Sequence, residues 1–242
     1  MEIVTVIGVL VLVWVSFAVS DSAGLGGSLV LVPTLALALG AKEGVALAAL
    51  LLASNNVAKI FAYRHTLPFR AAALITALIV AGAALGSTLL IRASTLAVTI
   101  AVFAMFVVSM VVERFDMHSL RRGFAPLLAF VSGASSGFSG TSGPLKGVAI
   151  RNLELDRRHF VGAASLASFA GDATKTAIFA EAQLLGRTAV LTAVAAIPLM
   201  ALGTWSGSTF NQRAGEQAFT VLFWTVIVGY SVRLGVFLLR VA

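Results

Sequence analysis

Apolar runs long enough to cross a lipid bilayer recur along the chain, and no other feature restricts its fold as much. A helix needs roughly 20 predominantly apolar residues to span a hydrocarbon core about 30 Å thick. Residues 43–63, 70–91, 95–112, 160–180, 187–206 and 217–240 each supply such a run with few polar interruptions. They explain a composition that is 59% hydrophobic and only 11% charged. A membrane β-barrel would instead show short segments of alternating hydrophobicity, which are absent. The reading is an all-α polytopic membrane protein.

The chain also repeats itself. Gly24, Gly26 and Gly27, advanced by 116 positions, fall on Gly140, Ser142 and Gly143, and the same shift carries Asn56-Val-Ala-Lys59 onto Asp172-Ala-Thr-Lys175. A shift of 117 aligns Leu67-Pro-Phe-Arg70 with Leu184-Leu-Gly-Arg187 and Gly86-Ser with Gly203-Thr. One of 121 aligns Arg92-Ala and Thr99 with Arg213-Ala and Thr220. Preserved order and a slowly growing offset mark two related halves, 1–116 and 117–242. Recurring glycine is ordinary in membrane helices, but the match of Lys59 with Lys175 is not explained that way.

Each half opens with an interrupted segment. Residues 3–20 run into Asp21-Ser-Ala-Gly-Leu-Gly-Gly-Ser28 and then a short apolar stretch containing Pro33. Residues 124–138 run into Gly137-Phe-Ser-Gly-Thr-Ser-Gly-Pro144 and a shorter stretch ending at Ile150. Short arms broken by glycine and proline at matching places in two halves are the pattern of discontinuous transporter helices. The expectation is a re-entrant hairpin at 3–40 followed by helices 43–63, 70–91 and 95–113, and a second hairpin at 124–150 followed by helices 158–180, 186–206 and 215–240. Three crossings per half is an odd number, so the two repeats should be inverted relative to each other. The basic residues agree. Arg64, Arg70, Arg114, Arg121, Arg122, Arg151, Arg157, Arg158 and Arg213 fall on one side, and only Lys42, Arg92, Arg187 and Arg240 on the other, which makes the first side cytoplasmic and leaves both termini outside. Full crossing of the hairpin arms would add spans without moving a loop. The first 20 residues have acidic Glu2 and no basic leader, and are read as part of the mature protein.

Charges at membrane depth are costly and kept where they pair or meet a polar pathway. Asp21, Lys59, Lys146, Asp172 and Lys175 fall there or in the glycine turns. Lys59 could snorkel to the interface on its long stem, and Asp172 stands one helical turn before Lys175, a spacing that suits an internal ion pair. The repeat would bring Lys59 and Lys175 to equivalent central places, where two ammonium groups beside Asn55 and Asn56 suit an oxyanion. Gly24, Gly26 and Gly27 with Ser28, and Gly140, Thr141, Ser142 and Gly143, add backbone N–H groups and hydroxyls that can approach an anion closely. The same glycines would equally serve close helix packing, and Gly82-x-x-x-Gly86 offers a small-residue face for a homodimer.

Other chemistries lack their residues. The chain has no cysteine, hence no disulfide, thiolate ligand or thiol nucleophile. His65, His118 and His159 lie in loop stretches, and no His/Asp/Glu cluster has metal-ligand spacing. Gly24-Leu-Gly26-Gly27 sits in no βαβ unit and is followed by no GK[ST], so it is not a nucleotide site. The net charge of +7 comes from basic residues scattered over short connections, which fits topology and lipid headgroups better than nucleic acid. No catalytic group, metal or cofactor is expected, and primary pumping would need a partner ATPase.

Gly24-Leu-Gly-Gly-Ser-Leu-Val-Leu-Val-Pro33, its counterpart Ser136-Gly-Phe-Ser-Gly-Thr-Ser-Gly-Pro144 and the duplicated layout resemble the sulfite exporter TauE/SafE permease family over essentially the full sequence. The resemblance implies a bacterial inner-membrane permease exporting sulfite or related organosulfur anions, sulfoacetate among them. The family's second motif usually reads Gly-x-Gly-Gly-Gly, where this chain has Gly140-Thr-Ser-Gly-Pro-Leu-Lys146, a departure that bears on the substrate more than on the fold. Two other readings stay open: an anion channel lined by the same residues, and an accessory structural subunit whose charges only pair helices.

Overall fold

A computed structural model of the chain describes residues 3–23, 27–113, 122–142 and 145–209, and the helical positions 221, 224, 225, 228, 229, 232 and 236. Gly24, Gly26, Gly143, Pro144, the side chain of Asp21, the loop 114–121 and most of the last expected helix lie outside the described residues.

Among the described residues the structure is helical throughout. The helices are α1 (Ile3–Ala23), α2 (Gly27–Leu39), α3 (Ala41–Ala62), α4 (Phe69–Arg92), α5 (Thr95–Glu113), α6 (Ala125–Ser139), α7 (Leu145–Arg151), α8 (Arg157–Glu181) and α9 (Arg187–Thr209). Three of them are long and apolar enough to cross a membrane: α3, α4, and α9 over Arg187–Ser206. Shorter apolar stretches occupy α1, α2 and α5. With 25 residues, α8 is about 37 Å long, sufficient for a crossing, but Asp172, Lys175 and its serines and threonines make it less apolar.

The helix ends follow local chemistry. Gly40, at φ 110°, lets the chain turn from α2 into α3, and Gly44 allows those helices to touch, since a Cβ there would lie 2.5 Å from the Ala36 nitrogen. Pro126 opens α6, and Gly140 closes it in the left-handed region at φ 82°, its N–H donating to the Ser136 carbonyl. Asp156 caps α8 by accepting from the N–H groups of Arg158 and His159. The backbone bond from His159, reinforced by its ring, holds the exposed Asp156 carboxyl below its ordinary range.

The helices pair in an exchangeable pattern. The arms of each hairpin pack together, α1 with α2 and α6 with α7; α1 lies along α9 and α6 along α4; α2 packs on α3 and α7 on α8; α3 meets α9 and α8 meets α4; and α3 and α8 pack on each other. Swapping α1–α4 for α6–α9 exchanges these contacts in pairs and returns the α3–α8 contact to itself. Two apolar cores result. One gathers Val13, Phe17, Leu31, Leu47, Leu51 and Met200 from α1, α2, α3 and α9, the other Ile75, Ile79, Ala129, Ile150, Ala163 and Ala167 from α4, α6, α7 and α8.

Lipid tails are as apolar as leucine, so close fit holds membrane helices together. Gly82 and Gly86 of α4 interlock with Gly133 and Gly137 of α6: a Cβ on Gly86 would stand 2.1 Å from the Ala134 carbonyl oxygen, and one on Gly133 2.2 Å from that of Ile79. This corrects the expectation for Gly82-x-x-x-Gly86. The face assigned to a homodimer is filled inside the chain by a matching glycine face on α6. Gly203 of α9 stands likewise against α1, where a Cβ would lie 2.8 Å from the Trp14 carbonyl oxygen. Outward-facing Val4, Leu74, Leu127, Leu191 and Val194 are exposed, as lipid contact requires. Helix hydroxyls bond back one turn, as Ser54 to Leu50, Thr88 to Ala84 and Thr176 to Asp172, which satisfies them without water.

Candidate functional site

A polar cavity of about 140 Å³ lies where the two cores meet, lined by the N-terminal end of α2, the C-terminal half of α3, the end of α6, and residues of α7 and α8. Space of that size would hold roughly five waters, or a small anion with part of its hydration shell. From α3 come Leu52, Asn55, Asn56 and Lys59, successive inward positions over two turns. Lys59 sits in the last turn of α3 and is exposed, so it stands at the mouth. From α2 come Gly27 and Ser28, and from the α6 end Ser136, Gly140 and Ser142. Gly140 keeps this wall thin: a Cβ there would lie 2.6 Å from Val32. From α7 and α8 come Lys146, Ser168 and Asp172.

A buried network braces one side. Asp172 accepts on both oxygens, from Lys175 Nζ at 2.6 Å on Oδ1 and from Asn56 Nδ2 at 2.8 Å on Oδ2. Lys175 Nζ also donates to Ser136 Oγ at 2.9 Å. A carboxylate with a cation and an amide donor is compensated, which is how a buried charge becomes tolerable. Asn56 and Asp172 are 116 residues apart, the offset at which the two halves of the sequence align. Leu52 and Ser168, both lining the cavity, stand the same 116 apart.

Lys59 and Lys175 are therefore not equivalent. Lys175 is 1% exposed, spent on Asp172 and Ser136, and absent from the lining. Lys59 has no carboxylate partner among the described residues. Lys146 donates to Ser168 Oγ at 2.7 Å and lies within coulombic reach of Asp172, Lys175 and Lys59. Three lysines thus surround one aspartate, and one of the three is neutralised by it, so the described side chains leave the cavity with two uncompensated positive charges.

Of the residues singled out in the sequence, Gly27, Ser28, Asn55, Asn56, Lys59, Gly140, Ser142 and Asp172 line the cavity. Thr141 is buried beside it, where its carbonyl accepts from Ser139, and Gly24, Gly26 and Gly143 lie outside the described residues. Sequence reasoning noted Lys146 as a charge without giving it a binding role, and passed over Leu52, Ser136 and Ser168. The signal for Ser168 was available: the 116-residue offset pairs it with Leu52, one turn before Asn56.

Long apolar helices around a polar cavity whose described side chains carry net positive charge define a multi-pass membrane protein. The chain belongs to the sulfite exporter TauE/SafE family, whose profile matches residues 8–234. The family is one of membrane permeases, which makes this chain a transporter type with a small anion as its cargo. No curated protein and no solved structure matches the chain.

Proposed function

We propose that the chain is an inner-membrane permease that exports a sulfur-containing oxyanion, sulfite or a related organosulfonate, and that the cavity beside Lys59 binds it. The observation that carries this reading is the pair of lysines, Lys59 and Lys146, that no carboxylate among the described residues compensates, in a lining that also offers the Asn55 amide and the Ser28 and Ser142 hydroxyls. Donors held in an apolar surround bind an anion more strongly than the same groups in water. The two halves act as inverted repeats, each a hairpin plus three crossings. The exchangeable helix contacts and the Asn56–Asp172 bond across the repeat offset support that arrangement. An axis passing between α3 and α8 would put the cavity at the junction of the halves, where rocking of one against the other alternates access.

Sulfite efflux from proteoliposomes tests the reading. Wild type should give saturable efflux inhibited by sulfate far more than by chloride, and Lys59→Ala should lower it about tenfold or more. Undiminished efflux from Lys59→Ala would remove the cavity from the transport path. No efflux from folded wild type would remove sulfite as the cargo.

A further inference from the structure

The charge count of the cavity goes further than its sign. Asp172 is held by Lys175 and Asn56, so it presents a closed ion pair to a ligand. Lys59 enters from α3 and Lys146 from α7, on different walls of the same cavity. Lys146 is anchored by Ser168, and a hydroxyl offers direction but no countercharge. We infer that the cavity selects a doubly charged small oxyanion over a singly charged one of the same size, and that Lys146 is the residue that sets this preference; the inference rests on the anion site proposed above.

Charge matching is the reason. A monoanion can offset only one of the two ammonium charges, and leaves the other, half-buried on Lys146 or exposed on Lys59, without a countercharge among the described residues. A dianion neutralises both lysines, and each added pair of opposite charges within a few ångströms is strongly favourable at protein dielectric. The Lys146 position also has no lysine counterpart in the other half, because a shift of 116 places Val30 there. The second positive charge is thus an addition of one half only.

The test uses two organosulfonates of similar size, sulfoacetate with two negative charges and 2-hydroxyethanesulfonate with one, as competitors of sulfite efflux from proteoliposomes at one neutral pH. Wild type should be inhibited by sulfoacetate at a concentration about tenfold or more below that needed of 2-hydroxyethanesulfonate. Lys146→Gln should bring the ratio close to one, and Lys146→Arg should restore it. Monodisperse elution and an unchanged melting temperature show which variants are folded. A misfolded Lys146→Gln leaves the decision to the wild-type ratio. Equal inhibition of wild type by the two compounds, or a ratio unchanged in folded Lys146→Gln, overturns the inference while the anion site stands. Efflux inhibited by neither also overturns it, and absent efflux removes the proposed cargo and the inference together.

Discussion

At the scale of single residues, the Asp172–Lys175 pair is where burial and charge meet most directly. Removing one member of a buried pair strands the other, at a cost of about 3–5 kcal/mol, whereas replacing both with neutral residues of similar volume costs much less. Lys175→Met and Asp172→Leu should therefore each lower the melting temperature of the detergent-solubilised protein sharply, and the double variant should recover most of the loss. Equal damage in the double variant would show that the pair does not act as a unit. The pair was one of two readings open in the sequence: a three-residue spacing on a helix suits an ion pair, and the repeat equally gave Lys175 a place at the anion. The different fates of Lys59 and Lys175 were not legible. Both lie in apolar runs, and only the crossing of α3, α6 and α8 decides that one faces the cavity and the other faces Ser136. Ser136 and Ser168 were hidden for a related reason: serine is common in membrane helices, and nothing local to it reports whether it faces a neighbour, lipid or a cavity.

At the scale of helices, the contact between α4 and α6 depends on four glycines. A side chain on Gly86 would meet the Ala134 backbone, which cannot retreat as a flexible side chain can. Gly86→Val should cost about 1–3 kcal/mol or more through overpacking, read as a lower melting temperature in detergent, while Gly8→Ala, with open space around it, should leave stability unchanged. Equal tolerance at both positions would contradict the interlock. The spacing of Gly82 and Gly86 announced close approach to some helix but not to which one. The partner face, Gly133-x-x-x-Gly137, was present in the sequence with the same spacing. A single small-residue face reads as a surface for another copy until its complement is found in the same chain. The apolar helices themselves were plain from hydropathy, α8 among them, although its polar residues, which reflect its place against the cavity, make it the least apolar of the long helices.

At the scale of the whole molecule, the exchangeable contacts bear on topology. Gly162 of α8 lies against Thr66 just before α4, so the α3–α4 and α7–α8 connections lie together, and α8 then carries the chain away from them. The inverted repeats proposed above would place those connections inside the cell and the α8–α9 connection outside. The chain contains no cysteine, so single introduced thiols report without background. In intact cells a membrane-impermeant maleimide should label Gly186→Cys and spare His65→Cys and Arg157→Cys, which should react only after permeabilisation. Labelling of all three from outside would mean that α8 does not cross.

The hydrogen bond between Asn56 and Asp172 also bears on ancestry. Two identical halves meeting about a twofold axis would place the same residue on both sides of it: two aspartates would repel, and two asparagines would leave Lys175 without its anion. If the halves are the inverted repeats proposed, carrying both in one chain lets one supply the donor and the other the acceptor, and leaves Lys59 with an amide one turn before it where Lys175 has a carboxylate.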